Sequence, residues 1–406
     1  MSASARPLGR GPVGPHPALI EVAAGRPLPA VTDPGPLLRS AFAHGMAGLL
    51  LSEVERARPP WRRRALAVLA ARQAAVRAWH ERLWTGLASV AATLEDLGIE
   101  VAVAKGVVAE ARWYGRMGER PCGDLDLLLS PADLCRVDDV VAAIEPSHPL
   151  CGKVRGLAER GLLQSIDLER DGVPIDLHWD ILKLGIPSRN QQAIWGRTVP
   201  FTSPDGRLLR VLDAECSFLH LLVHLNKDRF RRLLGFADVA RIQELEDLDH
   251  AAVRRLARAD GIEASVGASW NVVVRTLGLP AGNDLQARGV RSVVWQVAWR
   301  PSVRLRATES TIRFRHRQWL IALLARGRTA EALRCWVRET FPPADLLTYL
   351  HSAYAHRWGA EPVSVTPRSR LRALTIGRIQ AARQRRRRAA TAARLVAGDP
   401  GQGGLP

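Results

Sequence analysis

Lysine is almost missing from this chain of 406 residues: it stands only at Lys105, Lys153, Lys183 and Lys227, and arginine supplies the rest of the 58 basic side chains. So lopsided a choice points to GC-rich coding before it points to function. Cysteine is scarce too. Cys122, Cys135, Cys151, Cys216 and Cys335 stand far apart, odd in number and without a C-x-x-C pair, which argues against a disulfide framework and against a structural zinc site. No apolar run is long enough to span a membrane. Residues 41–51 are too few and are interrupted by His44, and the first forty residues, rich in Pro and Gly, lack the continuous apolar core of a signal peptide. These absences lead to the expectation of a reducing, cytoplasmic protein with no transmembrane segment. No internal repeat of fixed period is visible either.

What is present is enough apolar material for a core. At 47% hydrophobic the chain is excluded from the disordered class, and its length fits two folded parts with loose ends. The net charge of +18 is unevenly placed. The segment 368–394, opened by Arg368 and closed by Arg394, carries ten arginines and no acid, so the remaining body is only mildly basic. Such a tail can neutralise phosphates of nucleic acid or anionic lipid, or be a solvated arginine-rich end; it has no aromatic side chains for stacking on bases.

The pattern along the chain predicts an α+β protein: a small mixed sheet preceded by helices and followed by a helical domain. Residues 1–36, dense in proline, read as a flexible leader. Residues 37–97 recur at helical spacing, broken at Pro59-Pro60, with Leu66, Leu69 and Val76 facing inward from a helix over 62–97. Residues 98–205 read as the sheet core. A strand over 99–103 ends at Lys105-Gly106, a short helix runs over 107–114, and a loop leads to a strand over 124–129. Ser130-Pro-Ala-Asp133 combines an N-cap, a first-position proline and an acid, which predicts a helix over 131–144. Residues 164–170 and 173–179 flank Asp171-Gly172, the composition of a two-residue hairpin turn. Pro174 places its strand at an edge or delays its pairing. From 206 to about 360 the pattern is helical, and 361–406 form the basic tail.

The chemistry rests on carboxylates. Side chains alternate along a strand, so Asp124 and Asp126 project to one side, about 6–7 Å apart along the backbone. Leu125 and Leu127–Leu129 mark that strand as buried, where two uncompensated acids are costly. Asp176, in Ile175-Asp-Leu-His-Trp179, sits on a second apolar strand of matching pattern. Three converging carboxylates would hold one or two Mg²⁺, and two such ions would clamp a nucleoside triphosphate and activate an acceptor hydroxyl. Lys105-Gly106, between strand and helix, is where backbone N–H groups face an anion, or is an ordinary turn. Arg120 reaches phosphate oxygens if its loop folds over the site, or balances the aspartates. His178 shares the face of Asp176, where it orients phosphate or acceptor, or braces the aspartate. Trp179 falls on the opposite face and reads as core. His220 and His224, four apart on one helix face, have metal-ligand spacing but no third ligand at a defined distance in sequence; lining the cleft is the simpler use.

Lys105-Gly106, Arg120-Pro-Cys-Gly-Asp-Leu-Asp-Leu-Leu-Leu129, Ile175-Asp-Leu-His-Trp179, His224-Leu-Asn-Lys-Asp-Arg-Phe230 and Leu234-Gly-Phe-Ala-Asp238 together resemble the bacterial uncharacterised nucleotidyltransferase family of the DNA polymerase β superfamily. The likeness covers roughly residues 40–245 and weakens towards 350. It implies a nucleotidyltransferase sheet with Asp124, Asp126 and Asp176 as metal ligands, and Gly106 at the turn nearest the nucleotide. The chain departs from the superfamily in one respect: Gly106-Val107 replaces the usual Gly-Ser, and the spacing from Gly106 to Asp124 is long. The expected activity is transfer of a nucleoside monophosphate, for example from ATP, to a hydroxyl of a small molecule, protein or RNA, with release of pyrophosphate. Two other functions stay open on the sequence: a degenerate, antitoxin-like module that binds nucleotide or a partner without turnover, and a nucleic-acid binder working through the basic tail.

Overall fold

The structure, a computed structural model, describes residues 14–182, 188–228 and 230–280, with 285, 330, 331, 333 and 337 as isolated positions beyond them. The basic tail, Cys335 and most of the helical stretch expected after Pro280 lie outside the described residues.

The chain enters the fold earlier than its proline-rich start leads one to expect. Helix α1 (Pro17–Ala23) begins on Pro17 with the His16 side chain accepting the Ala18 N–H, and α2 (Pro34–His44) begins on Pro34 with Asp33 accepting the Gly35 N–H. Proline has no amide to lose at the first helical position and its φ is already set, so prolines that read as breakers act as starters here. The part of the expected leader from Pro17 on is therefore folded: α1 buries Leu19 and Val22 and packs on α10 (Leu233–Leu245), while residues 1–13 lie outside the described residues. Helices α3 (Ala47–Ala57) and α4 (Arg62–Asp96) follow, divided at Pro59-Pro60 as expected. Leu69 and Val76 are buried and Leu66 is partly so. The second half of α4 lays Leu83, Leu87, Val90 and Leu94 on one face of the sheet.

That sheet has six strands among the described residues: β1 (Val101–Val103), β2 (Leu125–Leu129), β3 (Ser165–Arg170), β4 (Val173–His178), β5 (Thr198–Thr202) and β6 (Leu208–Leu212). Their spatial order is β3-β4-β2-β1-β6-β5, with β2 parallel to β4, β1 parallel to β6, and the other pairs antiparallel. The β3–β4 hairpin turns at Asp171 (φ 52°) and Gly172 (φ 73°), the left-handed pair that a tight two-residue turn requires. Pro174 pairs with Glu169 of β3, while bonding to β2 starts only at Ile175, so the proline sits ahead of the ladder it would interrupt. The helix expected over 131–144 is a 3₁₀ turn (Pro131–Arg136) followed by α6 (Val137–Ile144), with Ser130 as the cap.

Two of the six strands, β5 and β6, escape the sequence reading, and β6 moves the end of the sheet from 205 to Leu212. After it, Asp213 caps α9 (Ala214–Lys227) by accepting the Cys216 N–H at 2.8 Å. Helices α10, α11 (His250–Ala259) and α12 (Glu263–Leu277) pack around α9. The sheet therefore lies between two layers. Leu125, Leu127, Leu129, Ile175 and Leu177 face α4, α6 and α7 (Val154–Glu159), whereas Ala102, Ala104, Leu128 and Leu212 join the core built on α9 and α10. Trp179 belongs to the first layer, with Nε1 donating to Leu163 O at 3.0 Å.

Candidate active site

Alternation along β2 sends Asp126 to the face opposite Leu125 and Leu127, the face that looks towards α9. Directly beside it, in register across the parallel pair, stands Asp176; two residues on, His178 is registered with Leu128. One face of β2 and β4 thus gathers two carboxylates and an imidazole. His178 Nε2 lies 3.2 Å from Asp126 Oδ1 and 3.4 Å from Asp176 Oδ2, and one ligand atom from each of the three residues falls within 4.8 Å of the others. Asp124 stands just ahead of β2, outside that cluster but near enough for Asp126 and Asp176 to act on its charge.

The electrostatics follow from crowding like charges in a dry place. Asp126 is 1% exposed. Burial alone would push its carboxyl up, but the Lys105 ammonium, 3.2 Å from Oδ1, and the His178 bond outweigh burial and hold it well below the ordinary range. Burial works against the charge of Lys105 as well, and Asp126, Asp124 and Asp176 together keep it protonated. Asp124 is left over: burial, then repulsion by Asp126, push its carboxyl up to about 6 against the pull of Lys105.

Lys105 ends the β1 segment and Gly106 turns the chain into α5 (Val107–Trp113). Gly106 has φ 69° and ψ −121°, a backbone state for glycine, and a Cβ there would lie 3.3 Å from Asp124 O and 3.9 Å from Asp126 Oδ2. Asp126 Oδ2 is also buried without a hydrogen-bond partner. The absent side chain therefore leaves space beside an uncompensated carboxylate oxygen. An orphaned buried oxygen is costly unless something binds it, so the donor set fits a small hard cation.

Arg120 is placed otherwise than as an outward-reaching side chain. It is 7% exposed, and its Nε and Nη2 donate to Asp238 Oδ1 (2.8 Å) and Oδ2 (2.9 Å) while Nη1 donates to Gly106 O (3.3 Å). The Tyr114 hydroxyl also donates to Asp238, at 2.5 Å. Asp238 is a site residue that sequence reasoning missed as Arg120's partner. The guanidinium clamps the loop of residues 115–123 to α10 and braces the Gly106 turn. Buried Glu110 completes the brace by accepting the Gly118 and Arg120 N–H groups at 2.8 and 2.9 Å and pairing with His80.

His220 and His224 stack with centroids 5.9 Å apart. His220 Nδ1 donates to Ile181 O at 3.1 Å, which leaves Nε2 as a buried lone pair with no partner. Burial, then Lys105, hold this ring well below its ordinary range and so neutral. His224 Nε2 instead pairs with Asp228 at 3.3 Å. Among the described residues neither belongs to the possible metal cluster; both line the helical wall that faces it.

A mixed sheet with adjoining acidic side chains beside a glycine turn, packed between helices, is consistent with a nucleotidyltransferase core. The chain belongs to the family described as uncharacterised nucleotidyltransferase, whose model matches residues 31–278, from just before α2 to the end of α12. Neither the curated proteins nor the solved structures give a significant match. Membership supports nucleotidyl transfer as the general activity, and the family implies a nucleoside triphosphate as substrate. No helix among the described residues is long and apolar enough to cross a membrane.

Proposed function

We propose that the chain is a metal-dependent nucleotidyltransferase that moves a nucleoside monophosphate from a triphosphate to a hydroxyl acceptor and releases pyrophosphate. The observation that carries this reading is the in-register pair Asp126–Asp176 on adjacent parallel strands, with Asp126 Oδ2 left without a bond. Asp126 and Asp176 would hold the divalent ions, Mg²⁺ in the simplest case, with Asp124 adding charge beside them. Such ions would supply charge neutralisation for the triphosphate and acidification of the acceptor hydroxyl.

The chain's own groups do the rest. Lys105, kept protonated by three acids, offers its ammonium to the phosphates. The Gly106 turn lets backbone come close to them, because no Cβ stands in the way. The acceptor oxygen bonds to the α-phosphorus as the bond to the bridging oxygen breaks, and pyrophosphate leaves with that electron pair. The hydroxyl proton goes to the Asp176 carboxylate. Arg120 acts at one remove by fixing Gly106 O and the loop. Most of the rate then comes from positioning and charge neutralisation.

The full-length protein is incubated with each α-³²P-labelled triphosphate, Mg²⁺ and cell extract. A labelled species that forms with the wild type and vanishes with Asp126→Asn supports the reading, and its identity names the acceptor. Triphosphate bound without labelling of any species, by any of the four nucleotides, would replace the enzyme with a binding module.

A further inference from the structure

We propose that His178 Nε2 is a direct third ligand of the divalent ion at Asp126 and Asp176, and that this nitrogen gives the site a preference for first-row transition ions such as Mn²⁺ over Mg²⁺. The inference rests on the metal-dependent reading above and specifies which ion that site takes. The third group within ligand distance of the acid pair is this ring, whereas Asp124 stands outside the cluster. Its Nε2 is 3.2 and 3.4 Å from the nearest oxygens of Asp126 and Asp176. Two neighbouring ligands of a six-coordinate ion with arms of about 2.1 Å are about 3 Å apart, so both contacts of the ring are close to the spacing that ligands of one ion keep.

The backbone enforces the arrangement. His178 follows Asp176 by two residues on β4 and shares its face, and Asp176 is locked to Asp126 by the β2–β4 register. The ring is also buried, which excludes the solvent rotamers that would take it away from the acids. Asp126 Oδ1 already meets Lys105 and His178, whereas Oδ2, 3.9 Å from where a Gly106 Cβ would stand, makes no hydrogen bond, so the carboxylate keeps an oxygen to give to an ion.

A set of two carboxylates and a neutral imidazole carries one negative charge fewer than three carboxylates. Mg²⁺ depends on that charge and on oxygen donors, whereas transition ions gain from a nitrogen donor. The competing arrangement has His178 as an N–H donor to Asp126 that stays off any ion.

Metal-stripped full-length protein is titrated with Mn²⁺, followed by electron paramagnetic resonance, and then challenged with Mg²⁺. The expected result is a bound Mn²⁺ whose spin-echo envelope shows ¹⁴N modulation. That modulation should change with ¹⁵N-histidine labelling of the wild type, disappear in His178→Gln and persist in His220→Asn. His178→Asp, which restores three oxygens, should lower the Mn²⁺-over-Mg²⁺ preference by about tenfold. The labelling arm needs no variant at position 178, so a folding failure there does not remove the test. Bound Mn²⁺ without nitrogen modulation, or modulation that survives His178→Gln, overturns the nitrogen ligand and leaves the metal-dependent reading standing. No bound Mn²⁺ at all overturns both.

Discussion

Asp124 gives the sharpest test of how the acids share this site. Its carboxyl is held up to about 6 from an ordinary 3.8 because burial and the charges of Asp126 and Asp176 oppose ionisation. At about 1.36 kcal/mol per pH unit, ionising it in the folded protein costs up to about 3 kcal/mol more than in the unfolded chain. The sign follows from the raised value. Below 3.8 the group is protonated in both states and costs nothing; the penalty grows between about 4 and 6 and is complete above 6. Asp124→Asn removes the ionisation, so it should match the wild type at pH 4 and be more stable by 1 to about 3 kcal/mol at pH 8, as read by urea unfolding in EDTA. A saturating divalent ion should narrow the gap, because cation and proton are alternative ways to quiet the same repulsion, and ion binding at pH 5 should release a proton. A gap independent of pH between 4 and 8, or a variant less stable than the wild type at pH 8, would refute the account of a crowded, underneutralised acid cluster.

Arg120→Ala strips Asp238 of its bidentate partner and leaves a buried charge with the Tyr114 hydroxyl; a loss of about 3–5 kcal/mol is expected in chemical denaturation. A variant of wild-type stability with a raised KM for triphosphate would instead return Arg120 to direct phosphate contact. Gly106→Ala forces a side chain into φ 69°, 3.3 Å from Asp124 O, and should cost about 1–3 kcal/mol and weaken triphosphate binding in calorimetry. Unchanged melting and binding would mean that the turn tolerates a Cβ. Asp126→Asn removes the charge that Lys105 and His178 answer, and should abolish ion binding; retained stoichiometric Mn²⁺ binding would remove Asp126 from the ligand set.

The parts of the site that were legible in the sequence are those whose signal is local. Leu125-Asp-Leu and Ile175-Asp-Leu announce their strands because an acid set in alternation with leucines has few other meanings, and Asp171-Gly172 announces the hairpin because both positions need positive φ. The edge of the sheet was not legible. In β5 a proline, Pro200, sits in the middle of the strand, which β5 tolerates as the terminal strand of the order. In β6 the apolar positions Leu209, Val211 and Leu212 stand among arginines, and Leu208 is exposed, so no clean alternation marks it. The signal that would have found the pair is the Pro204-Asp-Gly206 turn between them.

Distance in sequence explains the rest. Arg120 and Asp238 are 118 residues apart, and nothing near Arg120 distinguishes a guanidinium that will meet a phosphate from one that will meet a helix. The choice was made by depth: a side chain 7% exposed has no water to screen it, so the fold had to supply a carboxylate, and α10 supplies it. The same reasoning separates His178 from Asp124. Asp124 was read as a metal ligand alongside Asp126 and Asp176, and His178 as sharing the face of Asp176; β4 carries His178, registered with Leu128, on that face, while Asp124 precedes the first paired residue of β2. Strand register, which no single segment encodes, therefore decides which side chain stands nearest the acids, and it favours the ring over the third carboxylate.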